Sequence, residues 1–517
     1  MGSNSWWVAG LFSDELAAED APADTAMAKA WLSVLSGATT DADIDKVSAI
    51  LGLDTPSLLA LCAMPASKRT PLDDRLPEWA APLPLPREDF RQLPVWQAWS
   101  EESATAPLIL PLLVEVYAAL APSFERMEKS SGLNTLADGV LEKLLYVLDT
   151  NICAAGEANA QNPDEFWTSK PAALRHARAV SWAFIATVLR FEAALSEAPD
   201  YVDLKNLSHM FIEPLDLHRG GTSVVMAEGA GVFQPRETVA FDLLQHLFEA
   251  VQSEGLLLNW GIPRYQGMAT GTWVEWISGK DLDDMDAAEL EALAPDLAAF
   301  AVLMWVFGAA GIEPESVMAQ HGGAQIYVVQ ADGLFAPSLG AADEKAQLQS
   351  WLALFFDNEE LPLCPLFSDA CKASAMAAFE VAQKVAPALL EKVETAAPVR
   401  CFVRPVSAYS QLLRAVPHLN AAGDGLAREL VFSRLRDVPE NLSGLDILPI
   451  IQEELADLKR YDLPFVSAQP KGQALFFDDD RTVTAAVPRS AIAQIEARVG
   501  LHKALAEEVI QGFQPAR

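Results

Sequence analysis

The chain has 517 residues, 51% of them apolar and 21% charged, a globular composition with material for several cores, which excludes a disordered protein. Its formal charge of -34, from 71 acidic residues against 37 basic ones, repels phosphate backbones and anionic membranes, so no nucleic acid and no membrane is expected as a partner. Five scattered cysteines, Cys62, Cys153, Cys364, Cys371 and Cys401, fit reduced core thiols of a cytoplasmic protein and show no zinc-ligand spacing, so no metal centre is signalled.

The first residues lack a basic region followed by a long apolar run, so no secretory signal is expected. Over residues 11–64 apolar side chains recur at three- and four-residue spacing, with Ala and Leu dominant, which predicts helix. The proline-dense stretch 71–94 cannot continue a helix and reads as an ordered connector. Amphipathic patterns over 106–120, 136–155 and 171–195 then extend an all-helical region to about residue 200.

Between 214 and 279 the pattern changes. Short β-rich runs at 222–226, 231–233 and 272–277 are punctuated by glycines and interrupted by one helix near 239–254. Helices dominate again after 281, apart from a hairpin pairing 316–318 with 325–329 across Gln320-His321-Gly322-Gly323, and a further strand at 399–404. No apolar run reaches the length of about 20 residues that a spanning helix needs; even 297–310 is too short. The expected plan is a helical region (1–200), a strand-rich lobe (201–280) and a mainly helical lobe (281–517), together a predominantly helical α+β fold.

The densest polar cluster in a glycine-rich setting spans 214–224 and contains Asp216, His218, Gly220 and Gly221. Asp216 and His218 alternate by two, so on an extended backbone they share a face where a carboxylate orients an imidazole or both meet a phosphate. The same spacing at a turn serves for capping. His176, His209 and His502 lie in helical or amphipathic surroundings without a motif, and the 13 tryptophans read as core anchors, with Trp273 and Trp276 bordering the candidate cleft.

The 214–224 cluster resembles the Gly-Asp-x-His-x-x-Gly-x-Ser-Val stretch of class II lanthipeptide synthetase dehydratase domains. Gly231 through Arg236 is similar to that family's strand ending in Tyr-Lys-Pro-Arg, and Gly271 through Ile277 to its Gly-Trp-x-Glu-Phe-Ile. Val399 through Pro405 with Tyr409, Leu412 and Leu413 resembles its Arg-x-x-x-Arg-x-Thr-x-x-Tyr-x-x-x-Leu segment. Leu426-Ala427-Arg428-Glu429 resembles its Leu-Asp-Arg-Glu, and Glu454 with Asp462-Leu463-Pro464-Phe465 its Glu followed by Asp-Ile-Pro-Tyr-Phe. The matches run in family order from about residue 75 to the C-terminus, and the resemblance implies a two-lobed, lipid-kinase-like dehydratase fold without the cyclase domain that follows it in full synthetases.

The resemblance also implies a chemistry: phosphorylation of Ser or Thr in a precursor peptide by magnesium ATP, then elimination of phosphate, with positioning and charge neutralisation supplying catalysis. It places the family's phosphate-binding Lys at Gln234, its Asp-Leu-His-x-x-Asn segment at Gly311 through Ser316, with Glu313 for His and Ser316 for Asn, and its magnesium-binding Asp at Gln330. Asp332 keeps the charge of the family's Glu. A neutral amide is a poor magnesium ligand and supplies no cation for a triphosphate, so neither ATP nor magnesium is expected as a resident cofactor. Glu313, Glu315 and Asp332 are an alternative carboxylate set, while Pro314 favours solvated acids at a turn.

The resemblance also implies that Asp216, His218 and Arg236 stand at the family positions for elimination and phosphate contact, the Asp-x-His pair as general base and orienting acid and Arg236 as receiver of the leaving anion; the alternative is that the three hold the lobe together. The expected protein is therefore a pseudokinase-like dehydratase homologue that binds a precursor peptide or a partner modification enzyme. The alternatives are an enzyme of altered chemistry, such as phosphate elimination or other group transfer on a peptide, and a regulatory or toxin-like interaction protein that reuses the fold.

Overall fold

The amphipathic start of the chain forms three helices, α1 (Thr25–Ser36), α2 (Asp41–Leu51) and α3 (Thr55–Ala63). Local signals set their beginnings: the Thr40 hydroxyl accepts the Asp43 N–H at 3.2 Å while the Asp43 carboxylate accepts the Thr40 N–H at 3.1 Å, a reciprocal cap for α2. The computed structural model describes residues 6–17, 25–84, 90–131, 136–154, 162–207, 209–212, 222–320, 325–330, 333–339, 343–357, 366–416, 419–437, 442, 446–477, 481–484, 487–501 and 503–515.

After a proline-rich connector whose described residues include short 3-10 turns come α4 (Pro94–Glu102), α5 (Ala106–Ser131), α6 (Leu136–Ala154), α7 (Pro163–Ser169) and α8 (Pro171–Leu195). Among the described residues, the Ala106–Lys129 stretch of α5 is the one single helix long and apolar enough to cross a bilayer, and 61% of its apolar window is buried inside the protein. Its Leu112, Leu113 and Val116 share a core with Leu141 and Leu144 of α6 and Val180 and Phe184 of α8. The apolar run is thus matched by packing partners.

The strand-rich stretch contains β1 (His209–Ile212), β2 (Val225–Glu228), β3 (Gly231–Gln234), α9 (Val239–Ser253), β4 (Trp260–Gly261), β5 (Tyr265–Met268), β6 (Gly271–Val274) and β7 (Gly279–Asp281). Five of these strands pair antiparallel in the order β1-β2-β3-β6-β5. Val225 sits opposite Phe233 and Phe233 opposite Trp273, and this face of the sheet closes the core of α5, α6 and α8. Trp273 is fully buried there, its indole N–H donating to the Ala194 carbonyl at 3.1 Å.

Next follow α10 (Ala287–Val306), β8 (Val317–Gln320), β9 (Ile326–Val328), α11 (Glu344–Phe356), α12 (Asp369–Val393) and β10 (Val399–Cys401). The last part holds α13 (Val406–Ala415), α14 (Leu419–Ala422), α15 (Gly425–Phe432), α16 (Leu448–Lys459), β11 (Val466–Ala468), β12 (Leu475–Phe476), β13 (Thr482–Val483), α17 (Ala491–Val499) and α18 (Lys503–Gly512). A second sheet has the order β4-β9-β8-β7, with β4 and β9 parallel, and a third, antiparallel, has the order β10-β11-β12-β13. Helix α10 is buried on every side from Leu297 to Val306, because it forms the centre of the largest core, packed against α9, α11 and α12.

The helix, hairpin and strand expectations over 171–195, 231–233, 239–254, 316–329 and 399–404 correspond to α8, β3, α9, β8 with β9, and β10. The expected strand at 222–226 forms three residues later as β2, and His209, read as lying in a helical or amphipathic setting, opens β1. The third core joins Leu32, Val47 and Leu58 of α1 to α3 with Leu413, Leu430 and Leu455 near the other end of the chain.

Polar contacts cement that junction. Arg69 donates to Asp424, the N-cap of α15, at 2.6 Å. The buried Glu429 carboxylate accepts the Ser13 N–H and hydroxyl and pairs with Lys459. His176 of α8 stacks on Tyr461 at 4.2 Å with 12° between the rings, and the Tyr461 hydroxyl accepts from the buried Arg428 at 2.7 Å.

Candidate functional site

A cavity of about 570 Å³ is lined by Arg236, two residues beyond β3, by Gly311 and the 313–316 turn, by Gln330 beyond β9, and by the chain running from β10 into α13. Arg236 is half-buried, and its carbonyl accepts the Thr272 hydroxyl at 2.6 Å, which fixes the backbone at the mouth of the cleft.

The β10 side supplies Arg400 and then the consecutive residues from Phe402 to Ser407, Arg404 among them, to the lining of the cleft. Arg400 is only 6% exposed and its guanidinium lies 4.6 Å from the Phe402 ring centre and 4.9 Å from that of Phe465. Arg404 is turned to structural duty. Its Nε donates to the two Glu454 oxygens at 3.1 and 3.2 Å, its Nη2 to the Leu435 carbonyl at 2.6 Å and its Nη1 to the Asp437 carbonyl at 3.3 Å. Tyr409 also donates to Glu454, at 2.5 Å. Burial, with the neighbouring Glu454 charge, pushes the Tyr409 hydroxyl well above its ordinary pKa, so it stays a donor.

Of the residues singled out in the sequence, Arg236, Glu313, Ser316 and Gln330 meet in this cleft, together with Gly311 and Glu315. Glu313, Glu315 and Gln330 are exposed. Ser316 is buried, and its hydroxyl accepts the Glu313 N–H at 3.1 Å, so it closes the turn instead of facing a ligand. Gln234 ends β3 half-buried opposite Thr272 and does not line the cleft. Asp216, His218 and Asp332 lie outside the described residues, as do His321, Gly322 and Gly323 of the hairpin tip and His502.

Other motif residues serve the scaffold. Trp273 is a core anchor away from the cleft. Glu275 accepts the Arg264 N–H at 3.1 Å and the Arg264 guanidinium at 2.6 Å, tying the segment after β6 to the one before β5; the Arg264 hydrogen bond outweighs partial burial and lowers the Glu275 pKa. Arg400 and Phe402 are cleft residues to which the sequence motif alone gives no role. Strand alternation does not signal them, since β10 ends at Cys401 and the chain bends at Val403 and Arg404.

Among the described residues, those at the positions that the resemblance assigns to magnesium ATP do not fit it. Gly311 offers no side chain, Gln330 offers a neutral amide, and the Ser316 oxygen is already an acceptor. Among the described residues, the one group of three carboxylates close enough to share an ion is Asp281, Asp283 and Asp284, with ligand atoms within 4.8 Å of one another. None of the three lines the cleft. Burial, then the charges of Asp283, Asp284 and Glu315, raise the Asp281 pKa.

A second cavity, of about 620 Å³, adjoins the first and shares Gly311, Glu313 and Phe402 with it. Ile312, Leu339, Trp351 and Leu354 give it an apolar wall. Its one arginine, Arg498, is held by Glu344 at 2.7 Å, the Trp305 carbonyl at 2.6 Å and the Gln347 side chain at 2.6 Å. Asp343 at its rim caps α11 through the Lys345 and Ala346 N–H groups.

No protein-family model matches the chain, and no curated protein matches it.

Proposed function

We propose that this protein is a pseudokinase-like homologue of the class II lanthipeptide synthetase dehydratase domain, with a lipid-kinase-like fold, that binds a precursor peptide or a partner modification enzyme without turning over magnesium ATP. One observation carries the reading. Arg236, Gly311, Glu313, Ser316 and Gln330, picked out by motif order from segments far apart in the chain, converge on one cavity. The described side chains at that cavity include hydrogen-bond donors and arginines, its acids Glu313 and Glu315 are exposed, and the position that the resemblance gives to the magnesium-binding Asp holds Gln330.

Calorimetric titration with magnesium ATP tests the reading, with Gln234→Lys plus Gln330→Asp as the repaired comparison. The natural protein is expected to give no heat of binding. Turnover of magnesium ATP with transfer to a peptide would refute the proposal.

A second reading, elimination of phosphate from a peptide phosphorylated elsewhere, is favoured by the presence of Arg236 and Arg400 in the lining of the same cleft. It requires that alanine at Asp216, His218 and Arg236 abolish dehydration of a phosphopeptide. Unchanged dehydration in the triple variant would remove this reading.

A further inference from the structure

We propose that the second cavity, of about 620 Å³, binds an organic ammonium ion, its charge taken by Glu313, Asp343 and the face of Trp351 and its apolar or aromatic group by Ile312, Leu339 and Leu354. The site lies beside the arginine cleft, and its ligand class goes beyond the function proposed above.

Charge complementarity gives the first part. The charged residues that line this cavity are Glu313, Asp343 and Arg498. Arg498 pairs with Glu344 at 2.7 Å and gives its other N–H groups to the Trp305 carbonyl and the Gln347 side chain, so its charge is cancelled from behind. Among the described residues neither Glu313 nor Asp343 is in an ion pair, and Lys345, near Asp343 in sequence, reaches Glu508 at 3.1 Å instead. Arg236, Arg400 and Arg404 line the adjoining cavity and not this one. The two uncompensated carboxylates, on a chain of formal charge -34, draw cations toward the mouth.

Hydrogen bonding and the aromatic wall give the second part. Donors of the lining already serve the protein: the Gln347 amide donates to the Ser338 hydroxyl at 3.3 Å, the Ser350 hydroxyl to the Ala346 carbonyl at 3.0 Å, and the Ala309 and Ala310 N–H groups to the Met304 and Gly333 carbonyls. Asp343 caps α11 through Oδ1, at 3.1 and 3.2 Å, which leaves Oδ2 as an acceptor. A ligand that brings its own donors and positive charge fits such a lining, and an ammonium group supplies both. Arg400 already stands 4.6 Å from the Phe402 ring centre. Trp351, half-buried on α11, makes no ring or cation contact among the described residues, so its indole face is open to a cation. Ile312, Leu339 and Leu354 supply apolar surface for the group that carries the charge.

The test is calorimetry on the full chain with phenethylamine, phenethyl alcohol, phenylacetate, methylamine and acetyl-Phe-Lys-amide. Phenethylamine is expected to bind about tenfold tighter than phenethyl alcohol, because only the amine carries the charge, and tighter than methylamine, which lacks the ring. Phenylacetate should not bind. Glu313→Gln combined with Asp343→Asn should remove the advantage of the amine over the alcohol; both positions are exposed and Asn caps a helix as Asp does, so the fold is kept. Ser350→Trp, at an exposed position of α11 that lines the cavity, should weaken amine and alcohol alike by filling the space. Tighter binding of acetyl-Phe-Lys-amide than of phenethylamine assigns a lysine-bearing peptide, and the reverse assigns a small amine; either supports the site. Absence of amine binding, an alcohol or phenylacetate that binds as tightly as the amine, or an amine affinity indifferent to the double charge variant or to Ser350→Trp would overturn it. Magnesium ATP turnover, measured separately, bears on the proposed function and leaves this result standing.

Discussion

Replacing Glu454 by Ala asks whether the arginine row of the cleft is anchored from behind. The Arg404 and Glu454 side chains are 4% and 0% exposed, so the substitution leaves a guanidinium buried without its counter-charge. Removing one partner of a buried pair costs about 3–5 kcal/mol. The Leu435 and Asp437 carbonyls still accept from Arg404, which holds the loss toward the lower end, but Tyr409 also loses its acceptor, worth about 1 kcal/mol. We expect a loss of about 4 kcal/mol, read as a lowered urea midpoint. Arg404→Met combined with Glu454→Leu should recover at least half of it, because apolar replacements of both partners leave no buried charge. A loss under about 1 kcal/mol for Glu454→Ala, or a double variant as unstable as the sum of the single ones, would refute the assignment of Arg404 to the scaffold.

Further outcomes follow from the same contacts. His176 is buried on Tyr461 and beside Arg428, and burial, then the Arg428 charge, hold its pKa well below 6.5. The unfolded chain therefore takes up this proton first as pH falls below 6.5, and stability declines there by at most about 1.4 kcal/mol per pH unit. His176→Gln removes that component, so the drop in melting temperature from pH 7 to 5.5 should shrink; an unchanged drop would contradict it. Gly311 adopts φ +67°, so restoring the acid by Gly311→Asp should cost about 1–2 kcal/mol in a thermal melt and bring no magnesium-dependent stabilisation. Gly333→Ala would place a methyl 2.4 Å from the Arg400 carbonyl oxygen, so β10 must shift. The expected result is a loss of about 1–3 kcal/mol in a thermal melt, and an unchanged melt would contradict the close approach.

Long helices were legible because their pattern is redundant: α8 has fifteen buried positions at helical spacing, enough to fix its ends at Pro171 and Leu195. Two- to four-residue strands carry no such redundancy. β4, β12 and β13 have two residues each and are held by pairing with distant segments, as Trp260 is with Ile326. The half-buried face of β5, Tyr265–Met268, shows no apolar alternation, since it is an edge strand next to β6. Of the site, the arginine at 236 and the 313–316 turn could be read from motif order. The cooperation of Arg400 with Phe402 and Phe465 could not, because β10 and the residues before β11 meet only through the third sheet.

The motif residues separate physically into two groups, and the separation bears on what a change at each would mean. Arg404 with Glu454, Arg428 with Tyr461, and Glu429 with Ser13 and Lys459 are buried polar contacts that join distant parts of the chain. Each has low tolerance for substitution for reasons of burial alone, whatever reaction the protein performs. Arg236, Glu313, Glu315 and Gln330 are half-buried or exposed around the cavity, and the fold would tolerate many residues there. Likeness in the first group therefore speaks to the scaffold, and chemistry must be argued from the second.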